Sequence, residues 1–204
     1  MPTVTDITQQ KKRTQLYNIF VDGAFFCSLS DLQLSLSGIG IGDEVEPDKL
    51  AELKHSSLYS KTYDRALYYI SFRPRSTHEV RKYLQEKIED SDQIEPVVQK
   101  LSEQQLLDDQ QFARNWIENR NLLKPRSKRQ LQQELRQKGV GSEIIEAVLA
   151  EQNHDQELQN IQKLIAKKRK ASRKTDDMTL ISHMSARGFR YADIKAVLGA
   201  ESAG

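Results

Sequence analysis

At 204 residues, 37% hydrophobic and with a formal net charge of +2, the chain can bury a core, but its mean hydropathy of −0.68 suits several small modules better than one thick globule. The longest apolar runs are far short of a membrane span, and the opening Met1-Pro2-Thr3-Val4-Thr5-Asp6 lacks a charged-then-apolar secretory pattern, so a cytoplasmic protein with no membrane partner is expected. Cys27 is the single cysteine, which excludes an internal disulfide, and its alternating apolar neighbours point to a buried packing thiol rather than a redox or zinc site.

Leu16-Tyr17-Asn18-Ile19-Phe20-Val21, then Asp22-Gly23, then Ala24-Phe25-Phe26-Cys27-Ser28 predicts two short strands joined by a type I′ turn, since Asp-Gly supplies the positive φ angles that turn requires. Leu29 to Leu36 predicts a short helix. The glycines at 38, 40 and 42 bring the chain round to Val45, and Pro47 opens a helix through Leu50, Leu53 and Leu58 towards Ala66, Leu67 and Ile70, with a break near Ser56-Ser57. Residues 1–63 thus read as a hairpin-containing cap with a linking helix.

Beyond the cap, one phrase recurs: Ile94-Glu95-Pro96-Val97-Val98, Ile145-Glu146-Ala147-Val148-Leu149 and Ile194-Lys195-Ala196-Val197-Leu198. The same offsets carry Val80 and Leu84 onto Leu131 and Leu135, then onto Leu180 and Met184, and Ser76 onto Ser127 and Asp176. Two independent anchors agreeing mark a repeat protein. Three repeats follow, at 64–107, 108–155 and 156–204, each read as three helices. First helices carry Ala66, Leu67 and Ile70; Phe112, Ala113, Trp116 and Ile117; and Leu158, Ile161, Leu164 and Ile165 at helical spacing. Second helices open on capping boxes at Ser76-Thr77-His78-Glu79 and Ser127-Lys128-Arg129-Gln130, with Asp176 as a simpler cap, and stop at Gly139 and Gly188; third helices begin after Ser91 or Ser142. Ile88 stands where the first repeat's glycine would align, so a different turn is expected there. The fold class is mainly α: tandem three-helix repeats in an elongated curved array.

Asp108-Asp109 is the most enzyme-like pair, since adjacent carboxylates can bind metal or share a proton. Asp108, however, lies three residues before Gln111 and directly ahead of the Phe112 to Arg120 helix, the pattern of an N-cap box, with Asp109 favouring the positive helix end. His55, His78, His154 and His183 have no His or Cys partner at ligand spacing. Gly38-Ile39-Gly40-Ile41-Gly42 lacks the Lys-Ser/Thr of a phosphate loop and precedes the acidic Asp43-Glu44-Val45-Glu46. No catalytic residue, metal site or cofactor is expected.

The charge is uneven: residues 156–204 hold ten basic and five acidic residues, and 112–138 eight basic and two acidic. Arg73 and Arg75 flank Pro74 just before the first repeat's second helix; Lys124, Arg126, Lys128 and Arg129 occupy the same corner in the second; Lys167-Lys168-Arg169-Lys170-Ala171-Ser172-Arg173-Lys174 fills it in the third. Basic residues at one structural corner in three modules suggest a surface for a polyanion or acidic protein. The four in the second repeat fall outside the apolar face, so their replacement is expected to spare the fold. A DNA-reading helix-turn-helix is opposed by Glu95, Glu143 and Glu146 near the start of the would-be recognition helix.

At Ala66-Leu67, Arg73-Pro74-Arg75-Ser76, Leu106-Leu107-Asp108-Asp109, Phe112-Ala113 and Leu135-Arg136-Gln137-Lys138-Gly139-Val140 the chain resembles the bacterial RecX regulatory family, from Leu16 to the end. Asp22-Gly23 and Gly42-Asp43 resemble an amino-terminal extension found in a subset of that family. The resemblance implies a non-enzymatic protein that lies in the groove of the RecA–DNA filament and modulates, with inhibition the expected sign, recombinase, ATPase and coprotease activities in DNA repair and the SOS response; a monomer is expected. The residues expected to face RecA or DNA are Arg73, Arg75, Arg81, Lys82, Arg114, Arg120, Lys124, Arg126, Lys128, Arg129, Lys167, Lys168, Arg169 and Lys170. The alternatives are a stand-alone, non-sequence-specific binder of single- or double-stranded DNA and a purely structural helical adaptor. Departures from the family pattern are Ile88 and Asp176-Asp177-Met178 in place of the Arg-Ser start.

Overall fold

The computed structural model describes residues 1–88, 90–171 and 176–202. The chain is mainly helical, with a small sheet at its amino-terminal end, and folds as two compact units: Met1–Phe72 with Leu84–Gln99, and Arg73–Tyr83 with Lys100–Gly204.

In the first unit, β2 (Leu16–Val21) and β3 (Ala24–Ser30) form the expected hairpin, with Asp22 at φ 49 and Gly23 at φ 80, both left-handed as a type I′ turn demands. A strand that the sequence pattern does not predict, β1 (Val4–Gln9), pairs antiparallel with the outer edge of β2. Only Val4 of its six residues is buried, so it carries little apolar periodicity, and partner hydrogen bonds hold it instead. α1 (Asp31–Ser37) opens on a complete Ser30/Gln33 capping box and ends at Gly38, φ 65. α2 (Pro47–Ser71) runs unbroken through Ser56-Ser57. The reason is a hydrogen-bonding function for those serines: buried Ser57 Oγ donates to Ser28 O at 2.6 Å and accepts Ser28 N–H at 3.3 Å, satisfying backbone on the free edge of β3. Gln33 Nε2 donates to Ser56 Oγ at 2.7 Å. Val4, Ile19, Val21, Cys27, Leu29, Val45, Leu50 and Leu53 form the core beneath. Burial pushes the Cys27 thiol up to about 11, against the opposing charge of Lys61, which makes it a packing group with little thiolate at neutral pH. The 38–42 segment is a turn, closed by Gly40 N–H donating to Asp43 Oδ2 at 2.7 Å.

The boundary between units runs through α3 (Thr77–Lys87) and α4 (Ile94–Glu103), which follows a 3₁₀ turn at Ser91–Gln93. The second unit continues with α5 (Asp109–Leu123), α6 (Lys128–Gln137), α7 (Ser142–Ala150), α8 (His154–Ala171), α9 (Asp177–Ala186) and α10 (Tyr191–Ser202). α5, α6 and α7 enclose Phe112, Ala113, Ile117, Leu131, Leu135, Val140, Ile145 and Val148, while α8, α9 and α10 enclose Ile161, Leu164, Ile165, Leu180, Met184, Phe189, Ile194, Val197 and Leu198. The helical spacings read from the sequence in the second and third repeats are therefore core faces; in the first, Ala66 is buried and Leu67 and Ile70 are half-buried. α6 and α9 both end in the two-bond glycine motif: Val140 N–H donates to Leu135 O and Gly139 N–H to Arg136 O, with Phe189 to Met184 O and Gly188 to Ser185 O in the later copy. α7 starts at Ser142 itself, with Gly141 as its cap residue.

Ser76 and Ser127, both fully buried, each serve two helices. Their hydroxyl oxygens accept the N–H of Glu79 at 3.1 Å and of Gln130 at 3.3 Å, capping α3 and α6. Their protons go to the end of the corresponding helix in the next three-helix set: Ser76 Oγ donates to Lys138 O, and Ser127 Oγ to Arg187 O at 2.6 Å. Lys138 and Arg187 are the C-caps of α6 and α9, so the positive end of one helix meets the negative end of the next. This junction explains the departures from the repeat pattern. A Cβ on Gly139 would stand 2.3 Å from His78 Cβ, and one on Gly188 2.9 Å from Ser127 Oγ, whereas Ile88, one residue past the end of α3, donates its N–H to Leu84 O at 2.9 Å. Asp176 caps α9 by accepting Thr179 N–H at 2.9 Å, but an ionised carboxylate has no proton to donate, so it cannot make the serine junction.

The caps themselves are less uniform than expected. Ser76 and Glu79 form the full box, whereas Gln130 does not reciprocate to Ser127, and among the described residues its Oε1 has no hydrogen-bond partner. Asp108 accepts the N–H groups of Gln110 and Gln111, while the Gln111 side chain turns to Asn115 Oδ1. Asp109 Oδ1 accepts Thr77 N–H at 2.8 Å. Asp108 therefore caps α5, as its spacing indicates, whereas Asp109, the first residue of α5, also binds the start of α3, which its spacing does not reveal.

Candidate functional site

Among the described residues, every basic residue singled out in the sequence lies in the second unit, and the structure sorts them into tied and untied groups. Around the single tryptophan the charges form a closed network. Half-buried Trp116 donates its Nε1–H to Glu134 Oε2 at 2.8 Å, and the same oxygen accepts Arg120 Nε at 2.7 Å. Arg126 Nε sits 3.1 Å from Glu134 Oε1 as an ion pair without hydrogen-bond alignment. The Arg120 guanidinium and Lys138 ammonium lie 4.5 and 5.2 Å from the Trp116 ring centroid. Lys138 also reaches Glu79 Oε1 at 2.8 Å, where Arg73 donates from both terminal nitrogens at 2.9 and 3.1 Å. Burial works against charge on Glu79, but these hydrogen bonds and the two cations overcome it and hold its carboxyl at about 2.

Because that pKa is depressed, the contribution of Glu79 is present above its unfolded value of roughly 4.3 and is lost as pH falls through about 2. Glu79→Gln should therefore cost about 1–3 kcal/mol at neutral pH, a gap that holds down to about pH 5 and closes towards pH 2 in chemical-denaturation curves. A gap independent of pH would assign the loss to shape rather than charge.

Other expected contact residues are engaged internally as well. Arg114 donates from Nε and one terminal nitrogen to Glu151 at 3.0 and 2.9 Å, an exposed pair of little energetic weight. Arg169 pairs with Asp177 at 3.3 Å, and Lys128 Nζ donates to Gln152 O at 3.3 Å. Arg126 also faces Arg187, whose pKa is lowered by burial and then by the Arg126 charge. The expectation that the whole corner lies clear of the fold thus fails for Arg126 and Lys128, because a loop at a junction between three-helix sets has polar partners on both sides. Arg75, Arg81 and Lys168 are half-buried; Lys168 lies beside His183, whose pKa is lowered by burial and by Lys168 and Arg187. Among the described residues, Lys82, Lys124, Arg129, Lys167 and Lys170 are exposed and have no internal ion pair. Ser172, Arg173 and Lys174 lie outside the described residues.

Against this geometry, comparison with known proteins is decisive. A sequence model for the RecX first three-helix domain matches residues 63–101, and one for the RecX second three-helix domain matches residues 108–149. The chain belongs to the RecX family.

The Regulatory protein RecX of Halalkalibacterium halodurans is 31% identical over 173 residues, 83% of this chain and 65% of that protein. The namesake from Oceanobacillus iheyensis is 32% identical over 82% of this chain and 64% of its own length; the Bacillus subtilis protein is 28% identical over 97% and 76%. The chain therefore spans just under two thirds of the first two relatives. A crystal structure of regulatory protein RecX matches with a TM-score of 0.79 at 24% identity, covering 98% of this chain and all of that one, and RecX from Lactobacillus salivarius matches at 0.64 and 20% over 70% of this chain. These structural likenesses speak to the fold.

For this RecX family chain, the first matched domain runs from the last third of α2 into α4 and the second covers α5–α7, so Trp116, Arg120, Arg126, Glu134 and Lys138 belong to the second domain, and Arg73 and Glu79, which Lys138 joins, to the first. Leu122 and Leu123, 71% and 78% exposed at the end of α5 beside Lys124, add an apolar element to the basic corner that charge patterning alone passes over. The acidic residues counted against operator reading, Glu95, Glu143 and Glu146, are exposed on the third helices. Among the described residues no helix is long and apolar enough to cross a membrane. One group of ligand-type side chains, His154, Glu157 and Asp193, converges among the described residues, and Glu157 also lines a small pocket with Arg126 and Lys128 of the basic corner.

Proposed function

We propose that this protein is a non-enzymatic, monomeric, cytoplasmic regulator that binds RecA–DNA filaments through three-helix repeats at 64–107, 108–155 and 156–204, and lowers recombinase, ATPase and coprotease activities. The relatives' description as regulatory proteins supports the reading. The observation that carries it is the set of exposed cations without internal ion pairs among the described residues of the second unit: Lys82 within α3, Lys124 and Arg129 either side of the α5–α6 connection, and Lys167 and Lys170 towards the end of α8. Such groups keep their full charge for an acidic protein surface or phosphates, whereas Arg73, Arg114, Arg120 and Arg126 have theirs largely satisfied within the chain. The carboxylates most suggestive of catalysis, Asp108 and Asp109, are occupied by helix amides.

Titrating the protein into RecA ATPase on single-stranded DNA should lower turnover below stoichiometric ratio. Unchanged turnover at several-fold excess would refute regulation of this kind. Charge reversal at Lys124 and Arg129, sparing Arg126 and Lys128, should leave the melt near wild type, weaken filament binding, and flatten its salt dependence by about 0.7 in log–log slope for each phosphate of single-stranded DNA that is no longer neutralised. Retention on naked DNA with no effect on RecA would favour the stand-alone DNA-binding reading.

A further inference from the structure

We propose that the last three-helix set carries a binding site for one divalent transition-metal ion, of the zinc or manganese type, formed by His154, Glu157 and Asp193. The placement follows from two helix starts. His154 is the first residue of α8 and Glu157 lies one turn on, so the two share a face, while Asp193 sits in the first turn of α10. One ligand atom from each, an imidazole nitrogen and two carboxylate oxygens, lies within 4.8 Å of the others. His154 Nε2 and Asp193 Oδ1 are 3.6 Å apart, too long for a hydrogen bond but close to the roughly 3.4 Å that separates neighbouring ligands about a tetrahedral ion with bonds of about 2.1 Å.

The second observation concerns Asp193 alone. It is only 8% exposed, and its Oδ2 is buried without a hydrogen-bond partner among the described residues. A buried carboxylate oxygen left unsatisfied is costly, and a cation is the partner that removes the cost. The repeat does not require a carboxylate there, since the register set by Ile94, Ile145 and Ile194 places Gln93 and Ile144 at the equivalent positions. The side chain of His154 is 58% exposed, giving an ion a route in and leaving room for water to complete its coordination. One imidazole and two carboxylates suit zinc or manganese, whereas magnesium and calcium prefer an all-oxygen set. A bound ion would tie α8 to α10 and stabilise the folded chain by mass action. This inference stands independently of the proposed RecA regulation.

The test is isothermal titration of the full, EDTA-treated chain with zinc chloride, repeated with manganese and magnesium chlorides. We expect one saturable transition-metal ion per chain and a thermal midpoint that rises with it, no saturable binding of magnesium, and affinity weakened about tenfold or more in His154→Ala and Asp193→Asn. Because His154 is exposed, His154→Ala keeps the test readable should Asp193→Asn perturb the fold. Absence of one-to-one binding by the wild type, or both variants binding as the wild type does, would overturn the site.

Discussion

Leu135→Ala is expected to cost the middle three-helix set about 2–5 kcal/mol. Leu135 is fully buried among Phe112, Ile117, Leu131, Val140, Ile145 and Val148, and truncation strips away apolar packing while leaving a void that three short helices can only partly close. The residue also sits where α6 terminates, its carbonyl accepting Val140 N–H at 3.1 Å, so collapse of the void would disturb the cap. Trp116 is the chain's only tryptophan, which makes its fluorescence a local report on this set in denaturant titrations. A loss below about 0.5 kcal/mol would mean that the buried face of α6 is wrongly phased.

Gly139→Ala should cost nearly as much, about 2–4 kcal/mol, through two additive causes. At φ 74 the backbone is in the left-handed region that alanine disfavours. The new methyl would also meet His78 Cβ and Cγ at 2.3 Å, and because those atoms lie at the root of the side chain, the start of α3 must move. The junction made by the Ser76 hydroxyl and Lys138 O would stretch with it. Gly199→Ala provides the contrast: it lies within α10 with nothing near its added methyl, so the substitution should stabilise by up to about 1 kcal/mol. Equal and small effects at both positions would show that the head-to-tail helix junction contributes nothing.

The two glycines illustrate where sequence reading stops. That Gly139 and Gly188 end helices was legible from their place after Leu135 and Met184, because a left-handed cap is a property of the few residues around it. That each also makes room for a neighbouring helix was not, because His78 and Arg129 come into register only when the three-helix sets stack. The serines behave in the same way. Their capping function follows from the Glu or Gln three residues on, but the acceptors of their protons lie 62 and 60 positions away, beyond any local pattern.

The basic corner was legible as composition and misleading as chemistry. Counting Arg120 and Arg126 as available cations ignores Glu134, which lies 14 and 8 positions along the chain yet holds both in the folded state. The convergence of His154, Glu157 and Asp193 was not legible either, because ligand spacing along the chain cannot reveal a carboxylate that arrives on a different helix.

The sequence by itself determined the period of the repeat, the core face of each helix, the Asp22-Gly23 hairpin and the helix caps, since all depend on φ, ψ preferences and on hydrogen bonds spanning three or four residues. Only the tertiary structure decided that β1 would pair with β2, that α2 would run unbroken past Ser56-Ser57, that one helix's capping serine would bind the end of another, and which cations would be neutralised. Those outcomes rest on groups brought together by burial, and a hydrogen bond or ion pair between distant residues has no energy to express until packing has placed its partners within reach.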